Sequence, residues 1–264
     1  MKPFKNIHIT KKTLSVGILG LSVLAAALFL PPAAQKVGAF AAANLDRKLP
    51  IYCVQTEEPK VSVSFDAAWG ADDTDELLRI LAENDVKATF FLCGYWVEKY
   101  PEEVKKIAEA GHDLGNHSAT HPHMAQLTAE QITEELQKCH QNVKDLTGIE
   151  MDLFRPPFGE YDNEVIETAT QNDYYTIQWD VDSLDWKEQG ASAEIDQVLN
   201  HKHLGNGSII LFHNDAKYTP QVLDTILKGL KNKGYSIVPL SELIHRENYE
   251  MDHEGRQIPA AKQS

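Results

Sequence analysis

The sequence predicts an α/β fold in which parallel strands alternate with helices. Short apolar segments, each followed by a helical segment, recur about seven times between residues 61 and 245, a pattern typical of β/α units. The apolar segments are continuous runs of Val, Ile, Leu and Phe, as in a parallel sheet covered on both faces. The pattern alone does not distinguish a closed barrel from an open sheet. In both architectures, functional residues collect at the carboxyl ends of the strands.

The predicted strands are these apolar segments, at residues 61–66, 88–94, 112–117, 152–159, 174–183, 208–213 and 235–240. The predicted helices occupy residues 72–84, 101–111, 128–148, 163–172, 191–204 and 219–232, with a short helix ending at 245. Local signals support several of these boundaries. Pro101 and Gly111 suit the start and the stop of one helix, and Thr128 with Gln131 forms a capping-box pattern at the start of another.

The first 45 residues predict a signal peptide or a membrane anchor. Residues 2–12 hold lysines and no acid, and Leu14–Leu30 carries no charge before the prolines that follow it. A basic start before an apolar stretch is typical of export signals, and this stretch is at the lower limit for spanning a bilayer. We therefore predict an extracytoplasmic protein, either secreted or anchored to the cell membrane by this segment. The remaining boundaries are a connector at 46–60, a single domain at 61–245 and a polar, frayed tail at 246–264.

Charge and cysteine content argue against two classes of protein. The formal net charge is -14, and residues 1–44 carry five lysines and no acid, which leaves -19 for the rest. Binding to nucleic acid needs a basic surface, so a neutral or locally cationic polymer is the expected partner. Cys53, Cys93 and Cys139 are too few for a disulfide scaffold in a chain of 264 residues. We expect them to be buried free thiols.

Histidines are concentrated in one short stretch. Four of the eleven lie between His112 and His123, and His117 and His121 stand four residues apart. On a helical turn this spacing places two imidazoles on one face, where both can bind one metal ion. Imidazole ligands favour zinc, cobalt or nickel over magnesium. The pair alone is a weak signal, because the glutamate of a zinc-protease helix is missing and polar loops also contain histidines.

Polar residues also end four other predicted strands. Asp66 ends the first strand, and Arg155 begins the sequence Arg-Pro-Pro-Phe-Gly at the end of the fourth. The fifth ends in Asp182–Trp186 and the sixth in Leu211–His213. Five polar clusters at one end of one sheet are much harder to assign to chance than any one of them.

In this order, the five motifs resemble those of the polysaccharide deacetylases that share the NodB-homology domain, carbohydrate esterase family 4. The resemblance covers residues 60–245, and the ordered set is far more specific than any single motif. It implies a distorted (β/α)7-type barrel in a single domain. It also implies metal-dependent hydrolysis that removes N-acetyl groups from the amino sugars of a polysaccharide. An exported member with an N-terminal anchor is similar to the bacterial enzymes that act on peptidoglycan, including those of sporulation.

The resemblance also implies roles for individual residues. His117 and His121 would bind a divalent metal, and Asp66 would be the general base. Arg155 would orient Asp66 and keep it ionised, because a nearby cation favours the carboxylate. Trp186 and Leu211 would form walls of the acetyl pocket.

Amide hydrolysis further needs a proton donor and a stabilised oxyanion. His213 would protonate the departing nitrogen. Asp185 would accept a hydrogen bond from His213 and raise its pKa. The backbone N–H of Phe158 could join the metal in binding the oxyanion.

The sequence departs from the family at Ala67, where the family usually has an aspartate that is the third protein ligand of the metal. Three explanations stay open. Asp72 or Asp73 reaches the metal from the following loop; Asp66 or extra water molecules complete the coordination; or the site binds metal poorly. Poor metal binding would make the chain a weak or inactive glycan-binding pseudoenzyme.

A metal-dependent amidase with a differently shaped pocket is a third possible function, beside the deacetylase and the pseudoenzyme. We favour a monomer, and the sequence does not specify the sugar.

Overall fold

The computed structural model describes residues 47–260, and residues 48–260 belong to one compact unit. The predicted signal peptide or membrane anchor, residues 1–45, lies outside the described residues. Between residues 47 and 260, no helix is long and apolar enough to cross a membrane.

The main sheet has eight strands, and every pairing in it is parallel. The first strand of the chain, β1 (Cys53–Val54), belongs to a second sheet. The strands of the main sheet are β2 (Lys60–Ala67), β3 (Thr89–Leu92), β4 (Asp113–Asn116), β5 (Leu153–Phe154), β6 (Tyr175–Thr176), β7 (Val181–Asp182), β8 (Ile209–His213) and β9 (Ser236–Ile237). Their order across the sheet is β6-β5-β4-β3-β2-β8-β7, and β9 pairs with the beginning of β2. The predicted parallel α/β class is therefore confirmed.

The sheet curls because β6 and β7, at its two ends, are close in sequence. The prediction of one strand at 174–183 is wrong, since β6 and β7 both lie in that segment at opposite ends of the sheet. The four residues between them give about 17 Å of extended chain, so the two ends must approach each other. The Ile177 N–H donates to Phe154 at 2.7 Å and the Asp180 N–H to Ile209 at 3.2 Å. The result is a curled half-barrel, which agrees with the distorted barrel that the motifs imply.

Eight helices surround this sheet in the part of the chain that the structure describes. They are α1 (Thr74–Glu83), α2 (Gly94–Lys99), α3 (Pro101–Glu109), α4 (Ala129–Thr147), α5 (Asn163–Gln171), α6 (Ala191–Leu199), α7 (Thr219–Asn232) and α8 (Leu240–Leu243). The capping box at Thr128 and Gln131 is present at the start of α4. Helix α2 was not predicted, because its six residues follow an apolar run without a polar N-cap.

Two strands lie within the segment 246–264 where a frayed tail was predicted, and the prediction is wrong for residues 249–259. Strands β10 (Tyr249–Met251) and β11 (Arg256–Pro259) form an antiparallel pair, and β11 also pairs in parallel with β1. The side chain of Gln257 is fully buried in this sheet, where it accepts a hydrogen bond from the His245 N–H at 2.7 Å and donates to the His245 carbonyl. A polar side chain can be buried when its hydrogen bonds are satisfied. The polar composition of this segment was therefore not sufficient to predict a frayed tail.

The core on one face of the sheet is built around aromatic rings on its central strands. Phe65 on β2 stacks between Phe90 on β3 and Phe212 on β8, with ring centroids 4.9 and 5.6 Å apart. Replacing a buried Phe by Ala usually costs about 3–5 kcal/mol, so these contacts fix the strands whose carboxyl ends form the site. All three cysteines are buried free thiols, as expected.

Candidate active site

Side chains at the carboxyl ends of the strands line one cavity of about 570 Å³. Asp66 comes from β2 and His213 from β8, and these two residues are register partners on adjacent strands. His117 directly follows β4, and Asp182 ends β7. The parallel topology therefore brings together residues that are distant in the sequence.

Asp66 and Arg155 form a buried ion pair. Their exposed fractions are 4% and 0%, and Arg155 Nη1 donates to Asp66 Oδ1 at 2.7 Å. The other guanidinium nitrogen, Nη2, donates to Ser64 Oγ at 2.9 Å. Burial alone would raise the pKa of Asp66, but the charges of Arg155 and then His117 outweigh it and hold that pKa below its usual value. Asp66 is therefore ionised at neutral pH.

Arg155 also orients His117, through its backbone. His117 Nδ1 donates to the Arg155 carbonyl at 2.7 Å, so Nδ1 carries the proton and Nε2 keeps its lone pair. Nε2 lies 3.6 Å from Asp66 Oδ2. An outward hydrogen bond of this kind is typical of histidines that bind metal ions.

His121 is held beside His117 by a loop, whereas the sequence suggested a helical turn. Ser118 and His121 have φ angles of 66° and 57°. The Ser118 N–H donates to Asn116 Oδ1 at 2.9 Å, and the His121 N–H donates to Ser118 Oγ at 3.0 Å. The His117 and His121 ring centroids are 5.0 Å apart. Burial lowers both pKa values, that of His121 to about 4, so both rings are neutral, the form that binds a metal.

The structure does not bring Asp72 or Asp73 into the cavity. Asp72 is exposed, and Asp73 Oδ2 accepts a hydrogen bond from the Asp215 N–H at 2.8 Å. Ala67 is fully buried within the apolar core. Between residues 47 and 260, no group of three or more His, Cys, Asp or Glu residues is arranged to hold a metal ion. Of the three explanations left open for Ala67, replacement of the missing ligand by Asp72 or Asp73 is the one that this geometry does not support.

The remaining donors still fit a divalent ion. His117 and His121 present neutral imidazoles to one cavity, and the ionised Asp66 lies beside them. Two protein ligands leave the other coordination positions to water or substrate. A catalytic metal usually has three protein ligands, so this set is sparse but chemically suitable.

His213 and Asp185 form a second buried pair on the other side of the cavity. His213 Nδ1 donates to Asp185 Oδ1 at 2.7 Å, and the His213 backbone N–H donates to Asp185 Oδ2 at 2.6 Å. Burial alone would lower the pKa of His213, but the hydrogen bond and charge of Asp185, together with Asp66 and Asp182, raise it above its usual value. His213 therefore carries a proton more readily than an ordinary histidine.

The predicted wall residues Trp186 and Leu211 line the cavity, and so does Phe158, whose backbone N–H was predicted to bind the oxyanion. Phe158 has a φ of 60°, and none of the hydrogen bonds found among the described residues uses its N–H. Its ring packs edge-on against His121, with centroids 4.5 Å apart. Trp186 lies on the turn Asp185–Lys187 and is 56% exposed.

Comparison with known proteins agrees with these motifs. The polysaccharide deacetylase family model matches residues 54–177. The chain is 35% identical over 191 residues to a peptidoglycan-N-acetylglucosamine deacetylase of Bacillus cereus, covering 70% of this chain and 68% of that protein. The chain belongs to the polysaccharide deacetylase family. It is also 36% identical over 195 residues to the YlxY protein of Bacillus subtilis, covering 74% of this chain but only 60% of YlxY.

The solved structures similar to this polysaccharide deacetylase include one of a pseudoenzyme. It is described as a CE4 family pseudoenzyme from Bacillus anthracis, is 31% identical, and has a TM-score of 0.71 with 80% of this chain and 73% of that chain covered. A mutant of it, described as having restored enzymatic activity, is 34% identical and has the same TM-score with 78% and 72% covered. Deacetylases of the family are metal-dependent, and the family fold matches the half-barrel described above.

Sequence reasoning gave no site role to Trp69, Trp179 or Asp182, which line the cavity of this deacetylase. Trp69 and Trp179 could equally have been core residues, and Asp182 was read only as part of a motif. Trp69 is 54% exposed, with its ring centroid 5.5 Å from that of His213 and 6.4 Å from that of His121. Its position three residues after Asp66, at the carboxyl end of a strand, was the available signal.

Proposed function

We propose that this chain is a metal-dependent hydrolase that removes N-acetyl groups from the amino sugars of peptidoglycan. The observation that carries the proposal is the pairing of Asp66 with His213 across one cavity, since their neighbours shift the two pKa values in opposite directions. An ionised carboxylate and a protonated imidazole at the same pH supply both a base and an acid. The similarity to the Bacillus cereus peptidoglycan deacetylase supports the choice of polymer.

Hydrolysis of the N-acetyl group breaks the bond between the acetyl carbon and the sugar nitrogen. A divalent ion on His117 and His121 would polarise the acetyl carbonyl and lower the pKa of water. Asp66, oriented by Arg155, takes the proton from the attacking water. The Phe158 N–H donates a hydrogen bond to the developing oxyanion. His213 gives its proton to the departing nitrogen, so acetate and a free amino sugar are released.

The cavity rim suits a carbohydrate ring. Of the four exposed large hydrophobic side chains among the described residues, three surround the cavity, namely Trp69, Phe158 and Trp186. Exposed aromatic groups beside a polar cavity provide apolar area for the C–H faces of a sugar while its hydroxyls stay hydrated. The strong negative charge of the chain is consistent with a partner other than nucleic acid.

The identity of the metal, the location of the enzyme and its biological role are further parts of this proposal. Two imidazole ligands favour zinc, with cobalt or nickel as substitutes. The basic, then apolar, N-terminal segment supports an extracytoplasmic enzyme that is secreted or held at the membrane. We propose a role in sporulation only on the resemblance of the motifs to those of exported deacetylases, which include sporulation enzymes.

Acetate release is the experiment that tests the activity. The intact chain is incubated with N-acetylglucosamine oligomers and with peptidoglycan, with and without added zinc or cobalt, and Asp66→Asn is the matched control. Metal-dependent acetate that disappears in the variant is the expected result. It would also show that Ala67 is compatible with catalysis.

A glycan-binding pseudoenzyme is the second candidate, and two observations favour it. Ala67 is buried in the core where the family usually has a metal ligand, and a similar structure is described as a pseudoenzyme. Measurable glycan binding without acetate, in the presence of each metal, would select this candidate.

A further inference from the structure

The Asp185–His213 pair is backed by a second buried polar contact that the mechanism above does not use. Thr219, the first residue of α7, is fully buried, and Glu194 on α6 is 4% exposed. Thr219 Oγ1 lies 2.8 Å from Glu194 Oε1 and 3.4 Å from Asp185 Oδ2. Glu194, Thr219, Asp185 and His213 therefore form one continuous polar chain that leads from between two helices to the cavity.

Glu194 has the properties of a group that titrates near neutral pH. Its Oε2 is buried and has no hydrogen-bond partner among the described residues. Burial, opposed by the hydrogen bond from Thr219 and reinforced by the charge of Asp185, raises the pKa of Glu194 to about 7. A buried carboxylate with one unsatisfied oxygen is costly to keep ionised, so both protonation states are accessible under ordinary conditions.

Thr219 has one hydroxyl hydrogen, and this limits what it can do for its two acidic neighbours. When Glu194 is ionised, the hydroxyl donates to Glu194 Oε1. When Glu194 is protonated, the carboxyl O–H donates to Thr219 Oγ1, which frees the hydroxyl hydrogen to donate to Asp185 Oδ2. In the second state Asp185 gains a donor, and a negative charge behind it disappears. Both changes weaken the attraction of Asp185 for the proton of His213.

We propose that Glu194 is a positioning residue that acts through Thr219 on the Asp185–His213 pair and adjusts the acidity of His213. The proposal rests on the proposed function in one respect, because it takes His213 as the proton donor. Glu194 itself does not touch the cavity in which the reaction takes place.

The surroundings of Glu194 contain few other ionisable groups. A small pocket beside it is lined by Asp185 from the turn, Tyr218 from the start of α7, and the amides Gln189 and Gln197. Gln197 Nε2 is engaged with the Asp182 carbonyl at 3.0 Å. The carboxylate of Asp185 is thus the principal charge that faces Glu194, and Thr219 Oγ1 lies within hydrogen-bonding distance of both carboxylates.

The test compares Glu194→Gln and Thr219→Val with the wild-type chain. The imidazole of His213 is titrated by NMR, with its resonance assigned by the loss of that signal in His213→Gln. Glu194→Gln removes a buried negative charge, so the pKa of His213 should fall by about half a unit. The alkaline limb of kcat for acetate release should move to lower pH by the same amount, since the acid must be protonated.

Thr219→Val tests the hydrogen-bonded route, because it replaces the hydroxyl by a methyl group of similar size. In this background, Glu194→Gln should shift the pKa of His213 by less than it does in the wild-type chain. Equal shifts in both backgrounds would overturn the role of Thr219. An unchanged titration of His213 in Glu194→Gln would overturn the proposal as a whole.

Asp180→Asn is the matched control. Asp180 is another buried carboxylate with a raised pKa, of about 6, but it accepts hydrogen bonds from the Ile209 N–H and Ser208 Oγ, away from the cavity. Its replacement should leave the titration of His213 unchanged. If no variant and no wild-type sample releases acetate, the proposed function fails, while the NMR titration still decides the coupling between Glu194 and His213.

Discussion

On the two sides of the cavity, charged neighbours shift the pKa of the principal ionisable group in opposite directions. On the β2 side, burial would raise the pKa of Asp66, and Arg155 lowers it; on the β8 side, burial would lower the pKa of His213, and Asp185 raises it. In both cases neighbours of opposite charge, led by Arg155 for Asp66 and by Asp185 for His213, outweigh the effect of burial. The comparison teaches that the partners, and not the depth of the cavity, assign the roles of base and acid.

Replacing the base should have the largest effect. Asp66→Asn cannot accept a proton and leaves Arg155 buried without a counter-charge, so kcat/KM should fall by about 10⁴-fold, the upper end for general base catalysis. Steady-state acetate release at neutral pH measures this, with Asp180→Asn as a buried-carboxylate control. A loss smaller than tenfold would mean that Asp66 is not the base.

Removing a metal ligand tests the β2 side in a different way. His117→Ala deletes one of the two predicted imidazole ligands, so the dialysed protein should lose its bound zinc, which elemental analysis measures. His123→Ala, next to the cavity wall but outside the predicted ligand set, should retain zinc. Equal zinc content in the two variants would remove His117 from the ligands.

Replacing the acid should have a smaller and more selective effect. His213→Ala should lower kcat by about 10²–10³-fold, with KM changed by less than about twofold, because the proton is needed in the transition state and not for binding. His203→Ala, an exposed histidine on another loop, serves as control. A proportional rise in KM would indicate that His213 mainly binds substrate.

Replacing Asp185, the hydrogen-bond partner of His213, should shift the pH profile of kcat more than it lowers the maximum value of kcat. Because Asp185 raises the pKa of His213, Asp185→Asn should lower that pKa by about one unit. The acid then loses its proton at lower pH, so the alkaline limb of kcat moves to lower pH. A limb that stays in place would show that Asp185 only supports the fold.

Much of this arrangement could be predicted from sequence, because strand ends and ordered motifs are local signals. Asp66, His117, Arg155, Asp185 and His213 all lie where parallel strands place them. The missed features depend on contacts between distant segments. Residues 174–183 form two strands because their two halves pair with different neighbours, β5 and β8. The pairing of the C-terminal hairpin with β1 has no signal within either segment.

The surroundings of Ala67, where the family usually has a third metal ligand, also depend on contacts that the sequence does not reveal. Asp72 and Asp73 were reasonable candidates by proximity in sequence, but the Asp215 N–H engages Asp73 from the loop after β8. Likewise, nothing in the sequence near Glu194 indicates that it lies behind Asp185, because Thr219, which joins them, is 25 residues from Glu194.

The pairing of β1 with β11 has a mechanical consequence. These strands lie at the two ends of the described chain and run parallel, with Cys53 opposite Arg256 and Val54 opposite Gln257. A pull applied to the two ends would slide the strands along each other, and their hydrogen bonds would have to break together instead of one after another. Resistance to stretching should therefore begin at the seam between β1 and β11, together with the neighbouring bridge between Ile51 and Ile177.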